Sequence, residues 1–269
     1  MNPGPAWLFC PADRPDRFAK AAAAADVVIL DLEDAVSAEG KATARQALVD
    51  HPLDPSSTVV RVNPASTPEH AWDLQALQAT AYTTVMLAKT SSAQEVSSLE
   101  PFDVVALVET PLGVVEAASI ARAGNCVGLM WGAEDLVAGL GGTASRRYDG
   151  TYRDVAAAAR SAVLIAAGAY GRFKLDAVHL DIRDLAGLRT EVVDAAASGF
   201  DGTACIHPSQ VGVVRDGYRP PAAEVERARR LLDAARDEPG VFTFEGRMVD
   251  APLLRHAREL LRRAGVQLG

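Results

Sequence analysis

The strongest constraint on this chain is an alternation. Eight short runs of apolar, often β-branched residues lie at 6–10, 27–31, 58–62, 84–88, 104–108, 127–130, 177–181 and 203–206. Most are apolar almost without a break, as expected for parallel strands covered on both faces. Between and after them, segments rich in Ala, Leu, Arg and Glu at 15–25, 38–49, 68–79, 93–99, 112–123, 152–169, 185–197 and 210–216 read as helices. Several open on a cap or a first-turn proline, such as Thr67-Pro68-Glu69 and Thr110-Pro111. Eight strand–helix pairs predict an α/β fold, a closed (β/α)8 TIM barrel, which needs about 250 residues. An open sheet is the alternative. No G-x-G-x-x-G follows the first run, which counts against a dinucleotide-binding sheet. Gly139-Leu140-Gly141-Gly142 reads as a flexible loop after the sixth strand.

The alternation stops after Arg219-Pro220-Pro221. Helical patterns at 223–236 and 253–264, joined by Glu238-Pro239-Gly240 and a short run at 241–244, are too small for a strong core of their own. The expected organisation is a catalytic barrel over 1–219 and a helical extension over 220–269, packed on the barrel or on a neighbouring subunit. The chain has 27 Lys and Arg against 35 Asp and Glu, a net charge of −8, so nucleic acids and anionic membranes are poor partners. Cys10, Cys126 and Cys205 lie in apolar runs without C-x-x-C spacing and read as buried free thiols of a reducing compartment. No signal-peptide pattern opens the sequence, and the apolar runs at 21–25 and 162–170 fall far short of the roughly 20 residues that span a bilayer. The expected location is the cytoplasm.

Barrel enzymes place their chemistry at the C-terminal ends of the strands. Here the second strand ends in Asp31-Leu32-Glu33-Asp34, the third in Arg61-Val62-Asn63, the fifth in Glu109-Thr110 and the sixth in Gly132-Ala133-Glu134-Asp135. Carboxylates converging on one mouth are unfavourable unless a cation joins them. Oxygen ligands without His or Cys suit Mg²⁺, Mn²⁺ or Ca²⁺ rather than zinc. Glu109 and Asp135, on successive strands, form the natural metal pair, and Arg61 the fork for a substrate carboxylate. Each side chain also has a purely structural reading. Asp34 or Asp135 would cap the following helix, and Arg61 would be an ion-pair partner. Strand parity sets Glu134 opposite Asp135, and the same choice stands between Glu33 and Asp34. His207 is either a general base or a structural hydrogen-bonding group, and His179 alternates with apolar neighbours as a core residue would.

At these residues the sequence resembles the citrate lyase β-subunit group of the HpcH/HpaI aldolase/citrate lyase family. The match runs through Leu8-Phe9-Cys10-Pro11-Ala12-Asp13-Arg14-Pro15, Leu30-Asp31-Leu32-Glu33-Asp34-Ala35-Val36, Val60-Arg61-Val62-Asn63, Val108-Glu109-Thr110-Pro111-Leu112-Gly113 and Trp131-Gly132-Ala133-Glu134-Asp135-Leu136. It continues in Asp176-Ala177-Val178, Gly199-Phe200, Cys205-Ile206-His207-Pro208-Ser209-Gln210 and Met248-Val249-Asp250, and so covers nearly the whole chain. The pairing of E-T-P-x-G with G-A-E-D-L is its most specific part. Asp13, Thr203-Ala204 and Phe173-Lys174-Leu175 depart from the usual pattern.

The resemblance implies a TIM barrel that assembles as a homotrimer or a dimer of trimers and cleaves C–C bonds in β-hydroxyacyl-CoA thioesters. Citramalyl-, malyl- and citryl-CoA are the expected substrate types; acetyl-CoA and an α-ketoacid such as pyruvate, glyoxylate or oxaloacetate are the expected products. By the same resemblance Glu109 and Asp135 bind Mg²⁺, Arg61 binds the substrate carboxylate, and Asp34 holds metal-bound water. Arg14, Lys20, Lys41 and Arg45 approach the CoA phosphates and pantetheine. Asp250 is the acid/base residue, donated from a neighbouring subunit. A CoA-independent pyruvate aldolase and a non-catalytic scaffold subunit are the competing functions.

Overall fold

A computed structural model describes residues 4–238 and 240–266 of the chain. Eight parallel strands, β1 (Ala6–Pro11), β2 (Val27–Asp31), β3 (Thr58–Val62), β4 (Thr84–Leu87), β5 (Asp103–Val108), β6 (Cys126–Trp131), β7 (Phe173–Asp176) and β8 (Gly202–Cys205), close in sequence order into a barrel. β1 completes it by pairing with both β2 and β8. The helices that follow the strands are α1 (Phe18–Ala24), α2 (Lys41–Asp50), α3 (Pro68–Leu77), α4 (Ala93–Ser97), α5 (Pro111–Val115), α6 (Ala117–Arg122), α7 (Ala133–Gly139), α8 (Asp154–Ala169), α9 (Leu185–Ser198) and α10 (Pro208–Tyr218). No helix among the described residues is long and apolar enough to cross a membrane.

Strand parity organises the barrel. Trp7, Val27, Ile29, Val59, Met86, Val105, Leu107, Met130, Leu175 and Ala204 form one buried apolar cluster. Burying each large aliphatic member contributes about 1.5–3 kcal/mol. Continuing this face by two residues carries Ile29 to Asp31, Val59 to Arg61 and Leu107 to Glu109. Asp31 lies beside Arg61 across the β2–β3 pair, so the charged layer sits directly above the apolar one. The other parity faces the helices. There Trp131 donates from Nε1 to Asp176 at 2.6 Å, and the Arg160 guanidinium of α8 also bonds Asp176.

Several elements differ from their sequence reading. The seventh strand is Phe173–Asp176, not 177–181. Its outward Lys174 pairs with Asp201 at 2.7 Å, and Asp201 also joins the β7 backbone, so a charged residue sits inside the ladder. The apolar 177–181 segment instead follows the strand, and Ala177, Val178 and Leu180 line a cavity. The helix expected over 112–123 is two, broken at Glu116. A further helix, α7, begins at Ala133, within the stretch read as a strand end.

The chain divides into two compact units, Met1–Arg215 and Asp216–Gly269, a division that falls inside α10. In the second unit α11 (Ala222–Asp237) and α12 (Ala251–Arg263) flank an antiparallel hairpin of β9 (Phe242–Phe244) and β10 (Arg247–Val249). Ala228, Leu231, Val249, Ala257 and Leu261 give this unit an apolar cluster of its own. The hairpin was not expected beyond its first strand. Pro239, in the expected joint, lies outside the described residues.

Candidate active site

The charged layer borders a cavity of about 370 Å³ whose lining includes Phe9, Leu107, Met130, Val178 and Ile206 as apolar wall, and Asp31, Asp34, Arg61, Glu109, Glu134 and Asp135 as polar groups. The structure therefore brings together Asp34, Arg61, Glu109 and Asp135, all expected at one mouth.

Their roles depend on local backbone. At the end of β2, the Asp31 carboxylate accepts from the backbone N–H of Glu33 at 2.8 Å and of Ala35 at 3.2 Å, which turns the chain after the strand. The same carboxylate receives Arg61 Nε at 2.6 Å and Nη2 at 2.5 Å. Glu33 takes Arg61 Nη1 at 3.2 Å, and the guanidinium lies 4.8 Å above the Phe9 ring centre. This corrects the expectation for Arg61. Its fork is already engaged by Asp31, so a substrate meets only its remaining N–H groups. Burial lowers the Arg61 pKa, but Asp31, Glu33 and Glu109 more than offset this and hold it above its ordinary value. Burial also raises the Glu33 pKa, against the pull of Arg61 and Lys89.

Glu109 is almost fully buried. Burial, reinforced by the negative Asp135 and opposed by Lys89 and Arg61, pushes its carboxyl up to about 8. Its Oε1 accepts the backbone N–H of Lys89 at 3.1 Å. Its Oε2 lies against Gly132, where an added Cβ would sit 2.6 Å away; the glycine of G-A-E-D-L is there because the Glu109 carboxylate occupies that space. The glycine of E-T-P-x-G has a comparable reason. A Cβ on Gly113 would meet the Thr90 carbonyl oxygen at 2.3 Å, while the Gly113 N–H donates to the capping Thr110 hydroxyl at 3.0 Å.

Asp135 stands in the first turn of α7, so strand parity does not choose between it and Glu134. Glu134 accepts a hydrogen bond from Ser145. Asp135 faces Lys89 Nζ at 3.5 Å. Lys89, together with Asp31 and Glu33, is the part of the site that the sequence reading did not assign. The Lys89 ammonium bonds Glu33 and reaches Asp34 at 3.4 Å. Strand-end position signalled Asp31; nothing in the T-V-M-L-A-K-T run marked the lysine.

Glu109 and Asp135 fit a divalent cation. They supply oxygen only, their mutual repulsion is what a cation would relieve, and Mg²⁺ is typically held by one or two carboxylates with waters and substrate oxygens completing its shell. Among the described residues no group of three or more His, Cys, Asp or Glu side chains gathers to hold a metal, so the pair would carry the ion alone.

The expected CoA contacts divide. Arg14 is exposed and pairs with Asp16 at 2.9 Å; Lys20 is exposed on α1. Lys41 and Arg45 are correctives to that expectation. The Lys41 ammonium is bonded to the Leu32 and Glu33 carbonyls and to Asn63 Oδ1, which fixes the β2 loop. Arg45 pairs with Glu69 and with fully buried Asp73, so neither cation is free for phosphate. His207 is exposed and bonds Ser209 at 2.8 Å, a structural role in its loop. The work of I-H-P-S-Q falls to buried Gln210, whose Oε1 accepts from the Ile206 and His207 N–H groups and whose Nε2 donates to the His179 carbonyl. His179 itself is buried, with Nδ1 3.0 Å from Glu191. Asp250 belongs to the second unit, where its carboxylate caps α12 through the Leu253 N–H at 3.3 Å.

Comparison with known proteins decides the family. The HpcH/HpaI aldolase/citrate lyase profile matches residues 6–208, and that of the C–C bond lyases of the TIM-barrel fold matches 152–267. The chain belongs to the HpcH/HpaI aldolase/citrate lyase family. A citrate lyase subunit beta-like protein of Mycobacterium tuberculosis is 63% identical over 262 residues, 97% of this chain and 96% of the relative. Human mitochondrial citramalyl-CoA lyase is 32% identical over 267 residues, 87% of this chain and 77% of the relative. A crystal structure of CitE from M. tuberculosis in complex with magnesium, acetoacetate and coenzyme A matches with a TM-score of 0.96 at 62% identity, covering 98% of this chain and 100% of that one. Members of this family are carbon–carbon lyases, and the barrel described above is their fold.

Arg45→Met removes the cation paired with buried Asp73, leaving that carboxylate only the Asn63 N–H groups. It should lower unfolding stability by about 3 kcal/mol in urea denaturation. Unchanged stability with weakened CoA binding would restore Arg45 to the CoA site.

Proposed function

We propose that this family member is an Mg²⁺-dependent lyase of a β-hydroxyacyl-CoA, of the citramalyl-, malyl- or citryl-CoA type, yielding acetyl-CoA and an α-ketoacid such as pyruvate, glyoxylate or oxaloacetate. The observation that carries it is the convergence of Glu109, Asp135 and Arg61 on one cavity with an apolar wall. Support comes from the relatives: one carries the name citramalyl-CoA lyase, and solved structures of another hold magnesium with acetoacetate and coenzyme A, and magnesium with pyruvate.

Glu109 and Asp135 would hold the metal, which supplies Lewis-acid stabilisation of the hydroxyl oxygen and the adjacent carboxylate. Arg61, fixed by Asp31 and Glu33, offers its remaining N–H groups to the substrate carboxylate and orients the breaking bond. A base takes the hydroxyl proton as the C–O bond becomes C=O. The C–C bond breaks, its electron pair passes into the thioester enolate, and the enolate carbon then takes a proton. Phe9, Leu107 and Met130 wall the reacting carbons from water. We assign the base to Asp250, acting from a neighbouring subunit of a homotrimer or dimer of trimers in the cytoplasm, and Asp34 to the water around the metal. Arg14 and Lys20 remain the cations for CoA phosphates.

Purified protein incubated with each of the three thioesters and Mg²⁺ should release acetyl-CoA from at least one. EDTA should abolish the release, and Glu109→Gln or Asp135→Asn should cost about 10³-fold or more. Cleavage of a free 4-hydroxy-2-oxoacid with none of the thioesters would favour the aldolase instead.

The Asp250 assignment has its own test. Mixed oligomers of Arg61→Ala and Asp250→Ala chains should recover activity absent from either parent. Mixtures no more active than the parents would contradict a base supplied in trans.

A further inference from the structure

The least expected group in the site is Lys89, and its backbone is the clue. Lys89 has a φ of 51°, the left-handed region that disfavours residues with a side chain. The turn after β4 is held there from both sides. The Thr90 N–H donates to the Leu107 carbonyl at 3.0 Å, and the Thr90 hydroxyl to the Leu87 carbonyl at 2.7 Å. Left-handed backbone in a residue other than glycine persists where the surroundings impose it, and such positions cluster at functional sites.

The turn gives Lys89 two roles at once. Its N–H fixes Glu109, and its ammonium spans the mouth from Glu33 and Asp34 after β2 to Asp135 on α7. Five carboxylates meet here, those of Asp31, Glu33, Asp34, Glu109 and Asp135, with Arg61 and Lys89 as their cations. Arg61 is committed to Asp31 and Glu33. Lys89 alone of the two cations touches Asp135.

We propose that Lys89 is a positioning residue whose ammonium holds Asp135 and Glu33 together, and that a divalent cation must compete with it for Asp135. This rests on the reading that Glu109 and Asp135 bind the metal. The ammonium and a divalent ion sharing one carboxylate repel each other. The lysine thus steadies these carboxylates and weakens the metal's hold, which keeps the metal shell adaptable for substrate oxygens.

The test is calorimetric titration of the full chain with Mg²⁺. Lys89→Met should bind Mg²⁺ at least about tenfold more tightly than wild type, and Lys89→Arg, which keeps the charge, should stay close to wild type. Without metal, Lys89→Met should melt below wild type, and saturating Mg²⁺ should raise its Tm by more than it raises that of wild type. Equal or weaker Mg²⁺ binding by a folded Lys89→Met overturns the proposal while leaving the metal pair intact. Absence of Mg²⁺ binding by wild type overturns both. A wild-type measurement covers the case in which Lys89→Met does not fold. The chain has only four lysines, Lys20, Lys41, Lys89 and Lys174, so its ¹⁵N-lysine ammonium spectrum is simple. The Lys89 signal should change on adding Mg²⁺, and a signal indifferent to saturating Mg²⁺ contradicts the proposal.

Discussion

A buried guanidinium needs its charge matched, and the mouth of this barrel is arranged around that need. Arg61 is nearly inaccessible, and Asp31 and Glu33 both close on it. Strand register sets Asp31 beside Arg61, and its carboxylate also caps the turn that follows β2, which brings Glu33 round to the same cation. Removing Arg61 would leave Asp31 buried without its cation, a loss of about 3–5 kcal/mol. The pair is thus structure and site together: what tethers the β2 loop to β3 also fixes the orientation of the N–H groups left for substrate.

The remaining carboxylates build outward from this pair. Glu109 continues the inward face of β5, and space for it exists because residue 132 lacks a side chain. Asp135 arrives from the first turn of α7. Lys89 touches both, one through its backbone and one through its ammonium. Burial and Asp135 push the Glu109 carboxyl up to about 8. A divalent cation there would favour the ionised carboxylate and oppose that rise.

Much of the fold was legible because β-branched apolar runs in strict alternation with helical stretches permit few architectures. Strand ends could be located to within a few residues, which sufficed to place Glu109, Arg61 and Asp34 at one mouth. The seventh strand was misplaced because Lys174 satisfies its charge on Asp201, a partner 27 residues away that periodicity does not reveal. Resemblance placed Lys41 and Arg45 near CoA, and their partners in the structure, Asn63 and Asp73, are too distant in sequence for local pattern to reveal. Lys89 was invisible because a left-handed backbone at a lysine has no sequence signature. Local pattern reads faces and ends; it does not read which distant charge a side chain will find.

The central claim is that Glu109 and Asp135 together hold a divalent cation at the ends of β5 and β6. The most direct measurement is a crystal of this protein soaked in Mn²⁺, with the ion located by its anomalous scattering. The account requires one strong peak within coordinating distance, about 2.0–2.3 Å, of a carboxylate oxygen of both residues, with further oxygen ligands from water. A peak bound elsewhere in the cavity, or none in protein saturated with Mn²⁺, would contradict it.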